Sequence, residues 1–284
     1  ITADSAMSGD SPVKNWGGVG PVDFPNAKAI SDEAVVALQE KKYACWRCPL
    51  GCGGHMKAVE GKFKVDAGVH KPEYETLCAF GTSCLNDDLE SIIKINDICN
   101  RAGLDTISTG GTVAFAIECY ENGIITKEDT DGLSLNWGNA EAIVALTQKI
   151  ADREGFGAVL ANGVKIASEK IGKGAEEYAI HIGGQELPMH DPRFTPGLAL
   201  TYHLEATPGR HTQGGELIAP PSGLDFDSYD RAEYAGRGED QKKLVNMMHV
   251  INAAGLCMFG YISYDAKLVP EFLTAVTGWE WSMD

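Results

Sequence analysis

No run of apolar residues in this 284-residue chain approaches the ~20 needed to cross a bilayer, which excludes a membrane-spanning helix. Positive charge is also short. Lys and Arg number 24 against 40 Asp and Glu, and the resulting formal charge of -16 repels a phosphate backbone, which argues against a nucleic-acid partner. Eight cysteines in a chain of this length are too sparse for a secreted disulfide scaffold, and no secretory signal is visible, so the expected compartment is a reducing cytoplasm. No alternation of strands and helices is found, which excludes a parallel-sheet fold. An initiator Met is missing as well. The start at Ile1 reads as that of a piece of something longer.

Three cysteines in one short run, Cys45, Cys48 and Cys52 in ACWRCPLGCGG, dominate what is there. The spacing C-x2-C-x3-C brings three thiolates to one point, as an iron–sulfur cube or a zinc ion requires. The best fourth donor is Cys257 in NAAGLCMFG. Four-cysteine zinc sites usually pair two C-x2-C knuckles, and the second is lacking here. The radical-SAM order, C-x3-C-x2-C, is the reverse of this one. The alternatives therefore rank as Fe4S4, then zinc, then no metal. Pro49 stiffens the loop, and Gly51, Gly53 and Gly54 are expected to let backbone amides approach the sulfides. Cys78, Cys84, Cys99 and Cys119 lie in apolar or helical contexts and read as buried free thiols.

Hydrophobic periodicity predicts a mainly α, multihelical protein. Residues 1–30 read as an extended lead-in. A helix capped by Ser31 runs to Lys42, and residues 57–65 form a small hairpin turning at Glu60-Gly61. Helices follow over 87–102, 112–122, 139–154 and 159–171, the first stopped by Gly103, with a short strand near 178–182. Residues 183–238 are dense in Gly, Pro, His and Asp and read as a functional loop region. Two more helices cover 240–254 and 268–276. The domain expectation is 31–175 for a helical part carrying the cysteine loop and 176–284 for a second helical part. One pattern repeats: Asn100-Arg-Ala-Gly-Leu-Asp105 and Asn252-Ala-Ala-Gly-Leu-Cys257 share N-x-A-G-L, each at a predicted helix end. Two helix ends with one exit geometry suggest two similar halves facing one ligand.

Among titratable groups, Glu73 reads as an ordinary helix N-terminal carboxylate, whereas Glu75 is placed to turn inward, where burial would raise its pKa and suit it to proton exchange. His190, His203 and His211 fall in the glycine-rich region as further proton-handling candidates, while His55, His181 and His249 read as structural.

Taken together, ACWRCPLGC, HKPEYET, CNRAGLDTISTGG, IADREGFG, ELPMHDPR and NAAGLCMF resemble, in order, the motifs of the tungsten-containing aldehyde:ferredoxin oxidoreductases, from about Tyr43 to Trp281. The resemblance implies that family's multihelical C-terminal domains. It also implies a tungsten or molybdenum ion between two pyranopterins, and an Fe4S4 cluster on Cys45, Cys48, Cys52 and Cys257 that passes electrons to ferredoxin or another small carrier. Pterin contacts would come from Asn100, Gly103, Leu104 and Asp105 and from Asn252, Gly255 and Leu256. Glu75 and His211 match the proton-handling pair. His190 stands where many aldehyde enzymes carry tyrosine, so an aromatic thioester substrate, as in tungsten benzoyl-CoA reductase subunits, is the alternative to a small aldehyde. A helical electron-transfer or structural module is the alternative from another class. The family's N-terminal α+β domain, with most ligands of a bridging Mg2+, is expected to be missing, leaving this piece inactive alone. A second copy of the chain or an iron–sulfur subunit is a further expected partner.

Overall fold

In the computed structural model, which describes residues 1–212, 214, 222–225, 229–233, 235–261 and 263–283, the chain divides into two units, Ile1–Asp191 and Pro192–Asp284. Both are built from helices, with only two short antiparallel ladders among the described residues.

The first unit opens with α1 (Thr2–Ser8), α2 (Gly20–Asp23), a 3-10 turn (Ala27–Ile30) and α3 (Asp32–Ala37). Strands β1 (Gln39–Tyr43) and β2 (Gly53–Met56) pair next, followed by α4 (Tyr74–Phe80), α5 (Leu89–Ala102), α6 (Thr106–Glu121), α7 (Ala140–Asp152), α8 (Phe156–Leu160) and α9 (Val164–Ile171). The unit ends in the ladder of β3 (His181–Ile182) with β4 (Gln185–Glu186).

Helix α6 is the centre. Val113, Ala114, Phe115, Ala116, Ile117 and Cys119 are all buried, so it has no solvent stripe, as expected of an inner helix. Its Gly110 lets α4 come close, since a Cβ there would lie 2.6 Å from Ala79 Cβ. Around this pair, α5 and α7 bury one face each, through Ile92, Ile93 and Ile95 and through Ile143, Leu146 and Ile150.

Several boundaries differ from expectation. Residues 1–30 are not an extended lead-in. Ala6, Val13, Phe24, Ala27 and Ile30 enter the core, because isolated apolar residues spaced by Gly and Pro can anchor short helical turns that carry no long period. Ser31 does cap α3, its Oγ accepting from Ala34 N, but the helix stops at Ala37 and residues 39–43 turn into strand. The main hairpin is therefore 39–56. The expected small hairpin over 57–65 is present beside it, closed by Val59 and Val65, whose N–H groups donate to each other's carbonyls at 3.0 and 3.1 Å. Helix α6 starts at Thr106, six residues before the expected 112, and Gly110 lies inside it at the close approach to α4. Gly163, at φ 84°, splits 159–171 into α8 and α9. The division between the two compact units falls after Asp191.

The second unit contains α10 (Gly197–Leu204), α11 (Gly238–Ala253), α12 (Met258–Tyr261) and α13 (Leu268–Thr277) around Leu244, Met248, Ile251, Tyr261, Ala266 and Val269. Helix α10 lies inside the segment read as loop; positions 213, 215–221, 226–228 and 234 of that segment lie outside the described residues.

Candidate functional site

Three features carry chemistry. The first is the connection between β1 and β2. The ladder ends at Tyr43 opposite Gly53, so Cys45, Cys48 and Cys52 sit on one tight loop, with Cys48 N donating to Cys45 O at 2.9 Å. All three are free; Cys45 and Cys52 are exposed and Cys48 is half-buried. Gly51 takes φ +58°, which its side-chain-free backbone permits. Gly53 and Gly54 have a packing role across the ladder as well. A Cβ on Gly53 would lie 2.4 Å from the Tyr43 ring, and one on Gly54 would lie 2.6 Å from Gln39 Oε1. These glycines make room for side chains of the facing strand. The Tyr43 hydroxyl meets His70 Nδ1 at 3.0 Å, and Lys71 Nζ donates to Cys52 O at 2.8 Å, which fixes the stem. At the tip, Trp46 is 86% exposed with the Arg47 guanidinium 4.7 Å from its ring centre. Residues 41–57 carry Lys41, Lys42, Arg47 and Lys57 and no acid, against the acidic balance of the chain.

Buried thiols form the contrast. Cys78, Cys84, Cys99 and Cys119 are buried, and burial pushes the Cys78, Cys99 and Cys119 thiols up to about 12 and Cys84 further in the same direction. A thiol that resists ionisation is a poor metal donor.

The second feature is the repeated helix exit. At the end of α5, Gly103 takes φ 68° and Leu104 N donates to Cys99 O at 2.9 Å. At the end of α11, Gly255 takes φ 70° and Leu256 N donates to Ile251 O at 3.0 Å. Asn100, Gly103 and Asp105 are exposed and Leu104 half-buried; Asn252, Gly255, Cys257 and Leu256 follow the same pattern. Asp105 caps α6, its Oδ1 accepting from Ile107 N at 2.9 Å. Cys257 starts α12, its carbonyl accepting from Tyr261 N at 2.8 Å. The first exit opens on a cleft of about 470 Å³ lined by Leu104, Asp105, Ser108, Gly163 and Glu186 among others. Glu186 is buried, and its Oε1 accepts from Val164 N at 2.7 Å, satisfying the start of α9. A larger groove of about 780 Å³ runs along α5 and α7 over charged surface side chains such as Lys94 and Arg101, and none of the candidate site residues lines it.

The third feature is a carboxylate–imidazole cluster in the first unit. Glu75 lies in the first turn of α4, and its Oε2 accepts from Met189 N at 2.8 Å. Tyr74 donates its hydroxyl to Met189 O at 2.7 Å and stacks on the His190 ring, centroids 4.8 Å apart. Burial drives the Tyr74 pKa far upward, so its phenol keeps its proton. His190 Nε2 lies 3.8 Å from Glu75 Oε1, and its Nδ1 lies 3.1 and 3.0 Å from the two Asp10 oxygens. The sequence reading missed Asp10, which sits in the stretch taken for a lead-in and reaches His190 only through the fold. His211 and Cys257 belong to the second unit. There, His249 Nε2 meets buried Glu205 at 2.9 Å.

Residues 3–284 match the family model described as aldehyde ferredoxin oxidoreductase, domains 2 and 3. The chain belongs to this family. It is 34% identical over 282 residues to a tungsten-containing aldehyde ferredoxin oxidoreductase of Pyrococcus furiosus, covering 96% of this chain and 44% of that protein. It is also 32% identical over 219 residues to an aliphatic sulfonate oxidoreductase, WOR-like subunit, of the same organism, covering 73% of this chain and 34% of that one. A solved active site complex of benzoyl coenzyme A reductase with 1,5-dienoyl-CoA superposes with a TM-score of 0.73 at 21% identity, over 99% of this chain and 48% of that chain, which shows a shared fold. The chain spans less than half the length of the curated relatives it matches. No described helix is long and apolar enough to cross a membrane.

Proposed function

We propose that this chain supplies iron–sulfur donors, pterin contacts and a proton-handling cluster to a tungsten or molybdenum bis-pyranopterin oxidoreductase that converts aldehydes to carboxylic acids. One observation carries the reading. The two helix exits share backbone and exposure, and the second ends in a thiol, so a group resting on that exit would neighbour the thiol's metal. The residues fit the two groups. Cys45, Cys48, Cys52 and Cys257 are free thiols, three exposed and Cys48 half-buried, and four such thiols are the donor set of an Fe4S4 cluster. The cleft at Leu104 and Asp105 offers exposed polar groups and glycines on which a heterocycle can rest. Mg2+ has no ligand set assigned on this chain.

When bound, the metal–pterin group supplies the two-electron redox chemistry and the cluster a one-electron relay. The chain's own work is different. Oxidising an aldehyde with water releases two protons along with two electrons, and those protons need acceptors. Glu75 and His190 form one such pair, and His211 is the second histidine of the proposal. The basic, aromatic-tipped hairpin at Lys41, Lys42, Trp46 and Arg47 suits the acidic face of a small electron carrier such as ferredoxin.

A second reading, reduction of an aromatic CoA thioester, is favoured by His190 at the position expected to hold tyrosine. Anaerobic metal and pterin analysis of the full-length protein tests the first proposal: iron, tungsten or molybdenum, and pterin are expected together. Iron–sulfur without tungsten, molybdenum or pterin would leave an electron-transfer module. Turnover of aldehydes against aromatic thioesters then separates the two enzymatic readings.

A further inference from the structure

We infer that Asp10 is a positioning residue for His190: it fixes the imidazole proton on Nδ1, so that Nε2 presents its lone pair to Glu75. The inference rests on the reading of Glu75 and His190 as a proton-handling pair and adds the residue that orients it.

The geometry constrains the ring from three sides. Both Asp10 oxygens lie within hydrogen-bond distance of Nδ1, at 3.1 and 3.0 Å, and the Asp10 side chain is only 13% exposed. An ionised carboxylate can only accept, so Nδ1 must donate. Tyr74 stacks on one ring face at an interplanar angle of 26°. The preceding residue, Met189, is gripped at both main-chain groups by Tyr74 and Glu75, and the following one, Asp191, donates its N–H to Asp10 O at 2.6 Å. The imidazole is therefore held at its neighbours, at its face and at Nδ1. Nε2 lies 3.8 Å from Glu75 Oε1, so the two atoms that would exchange the proton face each other across a short gap.

The proton step balances within the trio. Protonated Glu75 gives its proton from Oε1 to Nε2. Glu75 becomes a carboxylate, His190 becomes an imidazolium, and Asp10 remains a carboxylate beside the new charge. The total charge stays at minus one before and after, so moving the proton creates no uncompensated buried charge. The opposite tautomer, with the proton on Nε2, could not accept it.

Histidine-selective 15N labelling of the full chain tests this without any cofactor. A His190→Gln variant assigns the His190 signal among the seven histidines. The expected wild-type spectrum has a protonated Nδ1 and a bare Nε2. In Asp10→Asn the side-chain amide can donate to Nδ1, and the bare nitrogen is expected to move from Nε2 to Nδ1. Asp10→Glu keeps a carboxylate and should keep the wild-type pattern. A wild-type His190 already protonated at Nε2 would overturn the inference, and so would an Asp10→Asn spectrum that matches wild type. If Asp10→Asn does not fold, the wild-type and Asp10→Glu spectra decide. In the loaded full-length enzyme, Asp10→Asn should lower kcat by about 100-fold with little change in KM, and should add nothing further in a His190→Gln background. A flipped tautomer with unchanged kcat would leave the positioning intact and overturn the proton-handling reading instead.

Discussion

The ends of α5 and α11 are two versions of one device. Each helix leaves through a glycine in the left-handed region, at φ 68° and 70°, and each following leucine N–H reaches back to the carbonyl five residues earlier. In each, the sixth residue of the pattern starts the next helix with its own carbonyl, accepting from Thr109 N at 3.0 Å in one case and from Tyr261 N at 2.8 Å in the other. What differs is the side chain at that sixth position. Asp105 turns back to cap its helix, while Cys257 is an exposed thiol. The comparison teaches that backbone and side chain answer to different demands. The backbone is set by the need to present a helix tip, and the side chain is free to be either a cap or an exposed thiol.

The sharpest way to break that comparison is to give the second exit the chemistry of the first. Cys257→Asp in the full-length protein, purified anaerobically, should lose most of its cluster iron while the fold is kept, because an exposed tip residue contributes little packing. Iron retained at the wild-type level would remove Cys257 from the ligand set. The next largest effect is chemical. In metal-free chain, iodoacetamide near pH 8 should modify Cys257 at least tenfold faster than Cys99, whose buried thiol is pushed up to about 12. Cluster loading should protect Cys257 and leave Cys99 as it was. Equal rates would mean that the packing around α5 opens readily.

Stability tests the backbone half of the comparison. Gly103→Val and Gly255→Val place a β-branched residue at positive φ, where a Cβ meets nothing within 4 Å at either site. Each should therefore cost strain alone, about 1–2 kcal/mol by urea unfolding. Closely similar costs would sharpen the equivalence of the two exits, and a twofold difference would break it. Gly110→Val is the control of another kind: there the new atom runs into Ala79 at 2.6 Å, and overpacking of about 1–3 kcal/mol adds to the helix penalty.

How much of this was legible in the sequence follows from the range of the interactions. The exits were readable because a glycine after a helix is a local signal, and the same local logic found the Ser31 cap and the split between exposed and buried cysteines. The C-x2-C-x3-C spacing made the cysteine loop readable in the same way, and the apolar residues after Glu75 marked its inward turn. Asp10 was invisible because its importance depends on a partner 180 residues away, and nothing in its own neighbourhood marks it. The early start of α6 was hidden for a related reason. A glycine pair looks alike whether it breaks a helix or lets another helix approach, and only the position of Ala79 distinguishes the two. Gly53 and Gly54 repeat the lesson on a smaller scale, since they yield to Tyr43 and Gln39 across the ladder. Positions fixed by their own flanks can be read along the chain; positions fixed by a distant neighbour cannot.

The smallest effect concerns the caps themselves. Asp105 satisfies Ile107 N through Oδ1 at 2.9 Å, and the Ser108 hydroxyl donates to its Oδ2 at 3.3 Å. Removing that side chain with Asp105→Ala should cost about 1 kcal/mol, the usual worth of an N-cap. Cys257→Ala in metal-free chain should cost only a few tenths, because an exposed thiol is a weak acceptor and α12 is a single turn of four residues. The inequality is the point. If Cys257→Ala were as costly as Asp105→Ala without metal, the thiol would be serving the fold, and its place at the tip would no longer argue for a ligand. If the cost appears only in the iron-loaded protein, the side chain serves the metal and the backbone alone serves the helix.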